Sequence, residues 1–365
     1  MELIYYYPWR MDAPSRVARG IFRNLLKREK ELPFENIKLF TSSKYAEWVQ
    51  KQFSDLEVLT FKNLTNLWRD SVIHIPIGPL IYPNSKFLLH LFAILKRKKL
   101  ILQCHGDIRT EMKLKFKYEH SLKISYIPTY IAVPYLFKSA DKLIVNSYIM
   151  SNLVRAKYGV KNKVVIPNGI DDFWFAESDV TNVELEGDQN FFFHGRLSPE
   201  KGVDLLIKGF AKAISENSKA RLYIAADEAQ RERFENFCRK LGVDKKVIFV
   251  GYIGQKDIKT YLSNVDAAIY PSRFDSFSLA ILEAFSSANC PVYFSKQAGI
   301  YDFVVRDGYN LNAFEPTVEN ISKIIKEIAK GNYNKEVIRR QKEFAKRYTW
   351  DSVIGQYIKL YTNIY

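Results

Sequence analysis

The chain predicts an α/β protein of two doubly wound domains, and three observations carry that expectation. Its 365 residues have room for two domains of ordinary size. Short, continuous apolar runs alternate with helix-length segments along the whole chain, which is the signature of parallel strands covered on both faces. Where a helix follows a strand, its apolar residues fall on one stripe, as a helix packed on a sheet requires.

In the first half the strand-like runs are Leu3–Tyr7, Val72–Ile75, Leu100–Cys104, Leu143–Asn146 and Val164–Pro167. In the second half they are Phe191–His194, Leu222–Ala226, Val247–Val250, Ala267–Tyr270 and Pro291–Phe294. After Gly202, Val203, Leu206, Ile207, Phe210, Ala211 and Ile214 recur at helical spacing. Trp350, Val353, Ile354, Tyr357, Ile358 and Tyr361 repeat that pattern at the end of the chain. Polar and acidic residues cluster over Pro167–Asn190, including Glu177 and Asp179, which places the domain boundary there. The division expected is 1–170 plus a terminal helix at about 350–365, and 171–349.

Composition excludes several classes. With 47% apolar and 26% charged residues the chain is globular, not disordered or fibrous. The apolar run Phe87–Leu95, interrupted by His90, is too short to span a bilayer. Met1–Tyr7 has neither the basic nor the apolar region of a secretory signal. Cys104, Cys238 and Cys290 are isolated and odd in number, so no disulfide framework or metal cluster is expected. Reduced thiols fit a cytoplasmic location.

Charge is uneven. Residues 1–170 hold 28 Lys+Arg against 13 Asp+Glu, whereas 171–365 hold 27 of each, so the whole excess of +15 lies in the first half. Such a half suits an anionic partner, although a basic face also serves solubility alone.

Four segments at strand ends carry candidate chemistry. Gly195-Arg196-Leu197-Ser198-Pro199-Glu200-Lys201-Gly202 leaves a strand and enters a helix. Arg196 and Lys201 suit a diphosphate, Arg as a fork and Lys as a point charge. The same segment also fits an ordinary strand-to-helix turn with Pro199 at the helix start. Pro271 to Ala284 follows another strand, with Asp275 in the loop and Glu283 eight residues on. The carboxylates suit hydroxyl groups and the helix start suits a phosphate; Asp275 or Ser276 also reads as a plain helix cap. Pro167-Asn168-Gly169-Ile170-Asp171 is a turn signal. His105, at the end of the run Leu100–Cys104, is placed either to touch a ligand or to serve the structure.

In this order the segments resemble glycosyltransferase family 4, retaining enzymes of the GT-B fold. The resemblance rests on residues 195–202, 167–171, the Asp275-x7-Glu283 element, Asn289-Cys290-Pro291-Val292 and the closing Tyr348-Thr349-Trp350-Asp351. It implies two Rossmann-like domains facing across a cleft, with the C-terminal helix crossing back to the first. The first would serve the acceptor and the second a nucleoside-diphosphate sugar, UDP- or GDP-linked. By this resemblance Arg196 and Lys201 would hold the donor diphosphate without a required metal or cofactor, a fixed charge aimed at the leaving group. Glu283 would hold the ribose and Asp275 the transferred sugar, with Gly195 and the backbone of Ser276, Phe277, Ser278 and Leu279 around sugar and phosphate. The base would lie near Tyr252 and Ile253. His105 matches the histidine beside the reacting sugar.

The chain departs from the family at four places. Asp275 stands where Glu is common, and Ser276-Phe277-Ser278 where Gly-Phe-Gly is common. The glycine-rich element after Pro291 is reduced to Ala298-Gly299-Ile300-Tyr301-Asp302. Near the N-terminus Ala13-Pro14-Ser15-Arg16 replaces a glycine pair, and Arg16 reads equally as a phosphate contact or an ion-paired helix residue.

Between His105 and Ser147 basic and aromatic residues interleave, among them Arg109, Lys113, Lys115, Lys117 and Lys123. In a family that often glycosylates lipid-linked acceptors, this reads as a patch for an anionic membrane surface, on the inner face of the cell membrane. Nucleic acid uses the same residue types, but no nucleic-acid signature accompanies them. The expected function is a retaining, metal-independent transfer of sugar to a glycan or lipid-linked acceptor by a peripheral membrane enzyme. The rivals are a degenerate binding protein of the same fold and another nucleotide-sugar enzyme.

Overall fold

A computed structural model describes residues 1–10, 12–66, 70–78, 84–121, 124–176, 183–214 and 218–364. Lys123, Glu177 and Asp179 lie outside the described residues. The chain divides into two compact units. Met1–Met112, Leu122–Gly169 and Tyr348–Tyr365 form the first; Lys113–Ser121 and Ile170–Arg347 form the second. The stretch Lys113–Ser121 therefore groups with the second unit, although the sequence assigns it to the first.

The first unit is built on a parallel sheet of seven strands: β1 (Glu2–Tyr6), β2 (Asn36–Phe40), β3 (Glu57–Leu59), β4 (Ser71–Ile75), β5 (Lys99–Cys104), β6 (Lys142–Val145) and β7 (Lys163–Val165). Their order is β3-β2-β1-β4-β5-β6-β7. Leu3, Ile4, Val72, Ile73, Ile101 and Leu102 are fully buried, as central strands covered on both faces must be. Two strands escape the reading from apolar runs. β2 carries Lys38, whose ammonium sits 3.3 Å from Glu2 and 2.9 Å from Glu57, so its charge is matched across both neighbouring strands. β3 is a three-residue edge strand, too short to show a pattern.

The last helix, Trp350–Ile364, packs within the first unit. Its buried stripe of Trp350, Val353, Ile354, Tyr357, Ile358 and Tyr361 is the one the spacing predicts. Trp350 rests where two glycines leave room: a Cβ at Gly20 would come within 2.5 Å of its ring, and one at Gly169 within 2.7 Å. The Asn168-Gly169 turn thus seats this helix. Polar contacts fix it, among them Tyr361 Oη 2.7 Å from His74 Nδ1, Gln103 Nε2 donating to Tyr357 Oη at 3.1 Å and Lys99 Nζ donating to Ile364 O at 2.6 Å. Burial lowers the His74 pKa to about 3, so the ring is neutral.

The second unit holds a parallel sheet of six strands: β8 (Gln189–His194), β9 (Ala220–Ala225), β10 (Val247–Gly251), β11 (Ala267–Tyr270), β12 (Val292–Ser295) and β13 (Ala313–Phe314). The order is β10-β9-β8-β11-β12-β13. β13, of two residues, is the third strand absent from the sequence reading. From β8 the chain winds one way, to β9; from β11 it winds the other, to β12. Neighbouring loops that part in this way open a crevice beyond the carboxyl ends of their strands, where open α/β sheets bind ligands.

Candidate functional site

The crevice between the ends of β8 and β11 collects most of the predicted donor residues. The loop after β8 supplies Gly195, Arg196 and Lys201 before the helix Val203–Ala213. The loop after β11 supplies Asp275, Ser276, Phe277 and Ser278 before the helix Leu279–Ser287, which carries Glu283.

The two loops are stitched together. The backbone N–H groups of Arg273 and Phe274 donate to Glu200 O at 2.8 and 3.2 Å. Arg273 forks onto Asp204 at 2.7 and 2.6 Å and donates to Pro199 O at 2.9 Å, while its guanidinium lies 4.0 Å from the ring centre of Tyr118. A fork onto a carboxylate fixes geometry as well as charge. The approach is close enough that a Cβ at Gly202, φ +69°, would fall 2.1 Å from Pro271 O. Gly195, φ +150°, also has left-handed geometry, with Phe193 3.1 Å from any Cβ built there.

The two cations are held differently. Arg196 is 61% exposed, and its Nη2 lies 2.9 Å from Oε1 of Glu200, which is 4% exposed and also accepts from Ser198 Oγ at 2.7 Å. Lys201 is mostly buried and ion-paired with Asp275. The predicted phosphate cation and the predicted sugar carboxylate therefore sit against each other. Asp275 is fixed at its backbone too: its N–H donates to Gln297 O at 3.2 Å, and its O accepts from Gly299 N at 2.9 Å. The residues that replace the family's glycine-rich element thus brace the loop.

Ser278 has φ +80° and ψ +87° at the start of the helix Leu279–Ser287. A non-glycine residue held there stores strain of about 1–3 kcal/mol. The family's glycine would carry none, so Ser278→Gly is expected to raise stability by about 1 kcal/mol, read by urea unfolding. A loss of stability would show instead that the hydroxyl is bonded where it matters.

Glu283 is 5% exposed and lies in a buried chain of polar groups. Its Oε2 is 3.2 Å from His194 Nε2, and His194 Nδ1 is 2.8 Å from Tyr270 Oη. Glu200, Asp204, Arg273, His194 and Tyr270 are thus parts of the site that the motif reading missed. For Asp204, Arg273, His194 and Tyr270 the partners lie about 70 to 90 residues away in the chain, so the sequence carries no local sign of the pairing; the side chain of Glu200 is paired locally, with Arg196 and Ser198.

Tyr252 is 80% exposed and Ile253 is half-buried, both just past β10. β10 is the edge strand, separated from β8 by β9.

The remaining predicted residues are spread over the two units. His105 follows β5 in the first unit, where its Nε2 donates to Pro76 O at 2.7 Å. A carbonyl only accepts, so Nε2 bears the proton. Burial lowers the His105 pKa to about 4, so the ring is neutral near pH 7. Arg16 is half-buried in the first turn of the helix Ala13–Lys27, and its N–H donates to Asp12 O at 3.0 Å. Arg109 turns inward: it donates to Tyr130 O at 2.8 Å and Ile131 O at 3.3 Å and stacks 5.0 and 5.1 Å from the rings of Tyr130 and Tyr158. Lys113 and Lys117 are exposed and Lys115 is half-buried. Among the described residues no group of three or more His, Cys, Asp or Glu is arranged to hold a metal. The three cysteines are buried and unpaired. No helix of the described residues is long and apolar enough to cross a membrane.

Comparison with known proteins matches this geometry. Residues 60–172 fit the description Glycosyltransferase Family 4, and residues 176–347 fit Glycosyl transferases group 1. A protein of Methanocaldococcus jannaschii described as an uncharacterised glycosyltransferase is 26% identical over 98% of this chain and 96% of its own length. The alpha-monoglucosyldiacylglycerol synthase of Streptococcus pneumoniae is 24% identical over 75% of this chain and 66% of its own length. For three other curated relatives the match spans only 45%, 63% and 40% of their lengths. Among solved structures, Anabaena HepE in complex with UDP-glucose superposes with a TM-score of 0.71 at 18% identity, over 100% of both chains, which shows the fold. With two adjoining family matches, one over each half, and two doubly wound sheets of this order, the chain belongs to the family 4 glycosyltransferases of the GT-B fold.

Proposed function

We propose that this chain is a retaining, metal-independent glycosyltransferase that moves a sugar from a UDP- or GDP-sugar to a glycan or lipid-linked acceptor. The observation that carries the reading is the crevice at β8 and β11, where Arg196, Lys201, Asp275 and the start of the helix Leu279–Ser287 come from its two loops. The second unit binds the donor and the first the acceptor. Arg196 and Lys201 stabilise the charge that develops on the departing diphosphate, a fixed field in place of a metal. The first N–H groups of the helix meet a phosphate oxygen. Asp275 holds hydroxyls of the transferred sugar, Glu283 those of the ribose, and Tyr252 and Ile253 flank the base. His105, neutral and with its tautomer set by Pro76 O, is the first unit's candidate to act on the reacting sugar. The complexes of HepE with UDP and UDP-glucose support a nucleoside-diphosphate donor.

Transfer assays with UDP- and GDP-sugars in the presence of EDTA test this reading. Arg196→Ala is expected to lower stability by about 1–3 kcal/mol, because it leaves the buried Glu200 carboxylate to the Ser198 hydroxyl without its counter-charge. It is expected to lower kcat about a hundredfold. Full activity in Arg196→Ala would remove the assigned role, and dependence on a divalent cation would remove metal independence.

The acceptor side has a surface suited to a lipid bilayer. Ile124, Ile127, Ile131 and Tyr135 stand exposed at helical spacing, and so do Leu91, Ile94 and Leu95. His90 Nε2, 2.8 Å from Ser139 Oγ, joins the two segments. Exposed Lys96, Arg97, Lys99 and Lys138 flank them. Apolar side chains ringed by cations favour shallow insertion into an anionic leaflet, each cation adding about 1 kcal/mol. This supports peripheral attachment at the inner face of the membrane; the name of the pneumococcal relative contains a diacylglycerol product. Vesicles with anionic lipid are expected to sediment the chain, and Leu95→Asp with Ile131→Asp to abolish it. Equal binding of the double variant would contradict the surface assigned.

A further inference from the structure

Glu283 does not hang free beside the crevice. β8 and β11 are paired in parallel, with Ala268 opposite Phe192, so His194 and Tyr270 end neighbouring strands at the same level. Both side chains are buried, and with Glu283 they form the chain Tyr270 Oη to His194 Nδ1 at 2.8 Å and His194 Nε2 to Glu283 Oε2 at 3.2 Å. The polarity of this chain follows from its ends. A carboxylate only accepts, so Nε2 bears a proton and donates to Oε2. The Tyr270 phenol and Nδ1 share the second hydrogen bond of the chain. Tyr270 keeps its proton, since burial and the nearby Glu283 charge push its pKa well up. At the other end of the residue, the hydroxyls of Ser286 and Ser287 donate to Glu283 O, both at 2.8 Å.

A glutamate has three rotatable side-chain bonds, and ordering them on binding costs affinity. A carboxylate already tethered by a strand residue avoids much of that cost. We propose that His194 and Tyr270 are positioning residues that preorganise Glu283 for the ribose hydroxyls of the nucleotide, so that ribose discrimination depends on two side chains that do not touch the ligand. The proposal rests on the assignment of Glu283 to the ribose, and the experiment separates the two.

The probes are UDP against 2′,3′-dideoxy-UDP, and GDP against 2′,3′-dideoxy-GDP, titrated calorimetrically into the full chain. The wild-type protein is expected to prefer one ribonucleotide over its dideoxy form by about 10–100-fold, the range for hydrogen bonds to a charged group. Glu283→Gln is expected to reduce that ratio to within about threefold. His194→Val is expected to reduce it about tenfold while dideoxy binding stays unchanged, and His194→Gln, which restores an N–H donor, to recover most of it. Tyr270→Phe removes one oxygen and keeps the ring, so it carries the test if His194→Val does not fold; a drop of about threefold is expected. A general structural defect would weaken both nucleotides of a pair equally and leave the ratio at its wild-type value. A wild-type ratio in His194→Val or, failing that, in Tyr270→Phe, with Glu283→Gln impaired, overturns the positioning role alone. A wild-type chain that does not discriminate, or a Glu283→Gln variant that still does, removes the ribose assignment and the proposal with it.

Discussion

Gly202→Ala is expected to destabilise the second unit by at least about 3 kcal/mol. Two costs add. The residue has φ +69°, where an L side chain is strained. The new Cβ would also fall 2.1 Å from Pro271 O, a backbone atom that cannot swing aside. Relief requires the loops after β8 and β11 to part, and with them the backbone bonds from Arg273 and Phe274 to Glu200 O. Donor binding should therefore weaken together with stability. Urea unfolding followed by a probe in the second unit measures the first effect and nucleotide titration the second. A change below about 0.5 kcal/mol would mean that the loops do not pack as described.

Lys201→Ala is expected to have the second large effect, on two readouts at once. Its partner Asp275 is largely buried, so removing the ammonium leaves a carboxylate without its counter-charge, at a cost of about 3–5 kcal/mol. Loss of a cation aimed at the leaving diphosphate should lower kcat about 10²–10³-fold. The effects separate in the double variant Lys201→Ala with Asp275→Asn. Removing both charges is expected to restore much of the stability, because the unpaired group is gone, but none of the activity. A Lys201→Ala variant as stable as wild type would contradict the buried pair, and an active one would contradict the phosphate role.

The two architectures were legible in the sequence because parallel strands are buried on both faces and read as unbroken apolar runs. β2 was not, since Lys38 breaks its run and is matched only across the sheet by Glu2 and Glu57. β3 and β13, of three and two residues, are too short to hold a pattern. At the site, the loops could be located from Gly195 to Gly202 and from Pro271 to Leu279 because glycine, proline and charge mark them locally. The partners could not. That Lys201 meets Asp275, that Arg273 forks onto Asp204 under Tyr118, and that Glu283 is held by His194 depend on which strands neighbour each other. The basic stretch after His105 read as one patch, yet Arg109 points inward onto carbonyls and rings, which composition does not distinguish from a solvated cation. The strain at Ser278 is likewise a backbone property, hinted at only by the departure from Gly-Phe-Gly.

The most direct test of the central claim is thermal unfolding of the full chain with UDP-, GDP-, ADP- and dTDP-sugars, each with EDTA and with a divalent cation. A ligand at 100 times its Kd adds about 2.7 kcal/mol to the native state, so even millimolar nucleotide at modest affinity moves Tm measurably. A shift for a UDP- or GDP-sugar, unchanged by EDTA and lost in Lys201→Ala compared with its own unliganded Tm, is the result expected. No shift with any of the four, while the chain unfolds cooperatively, would contradict a donor site at β8 and β11.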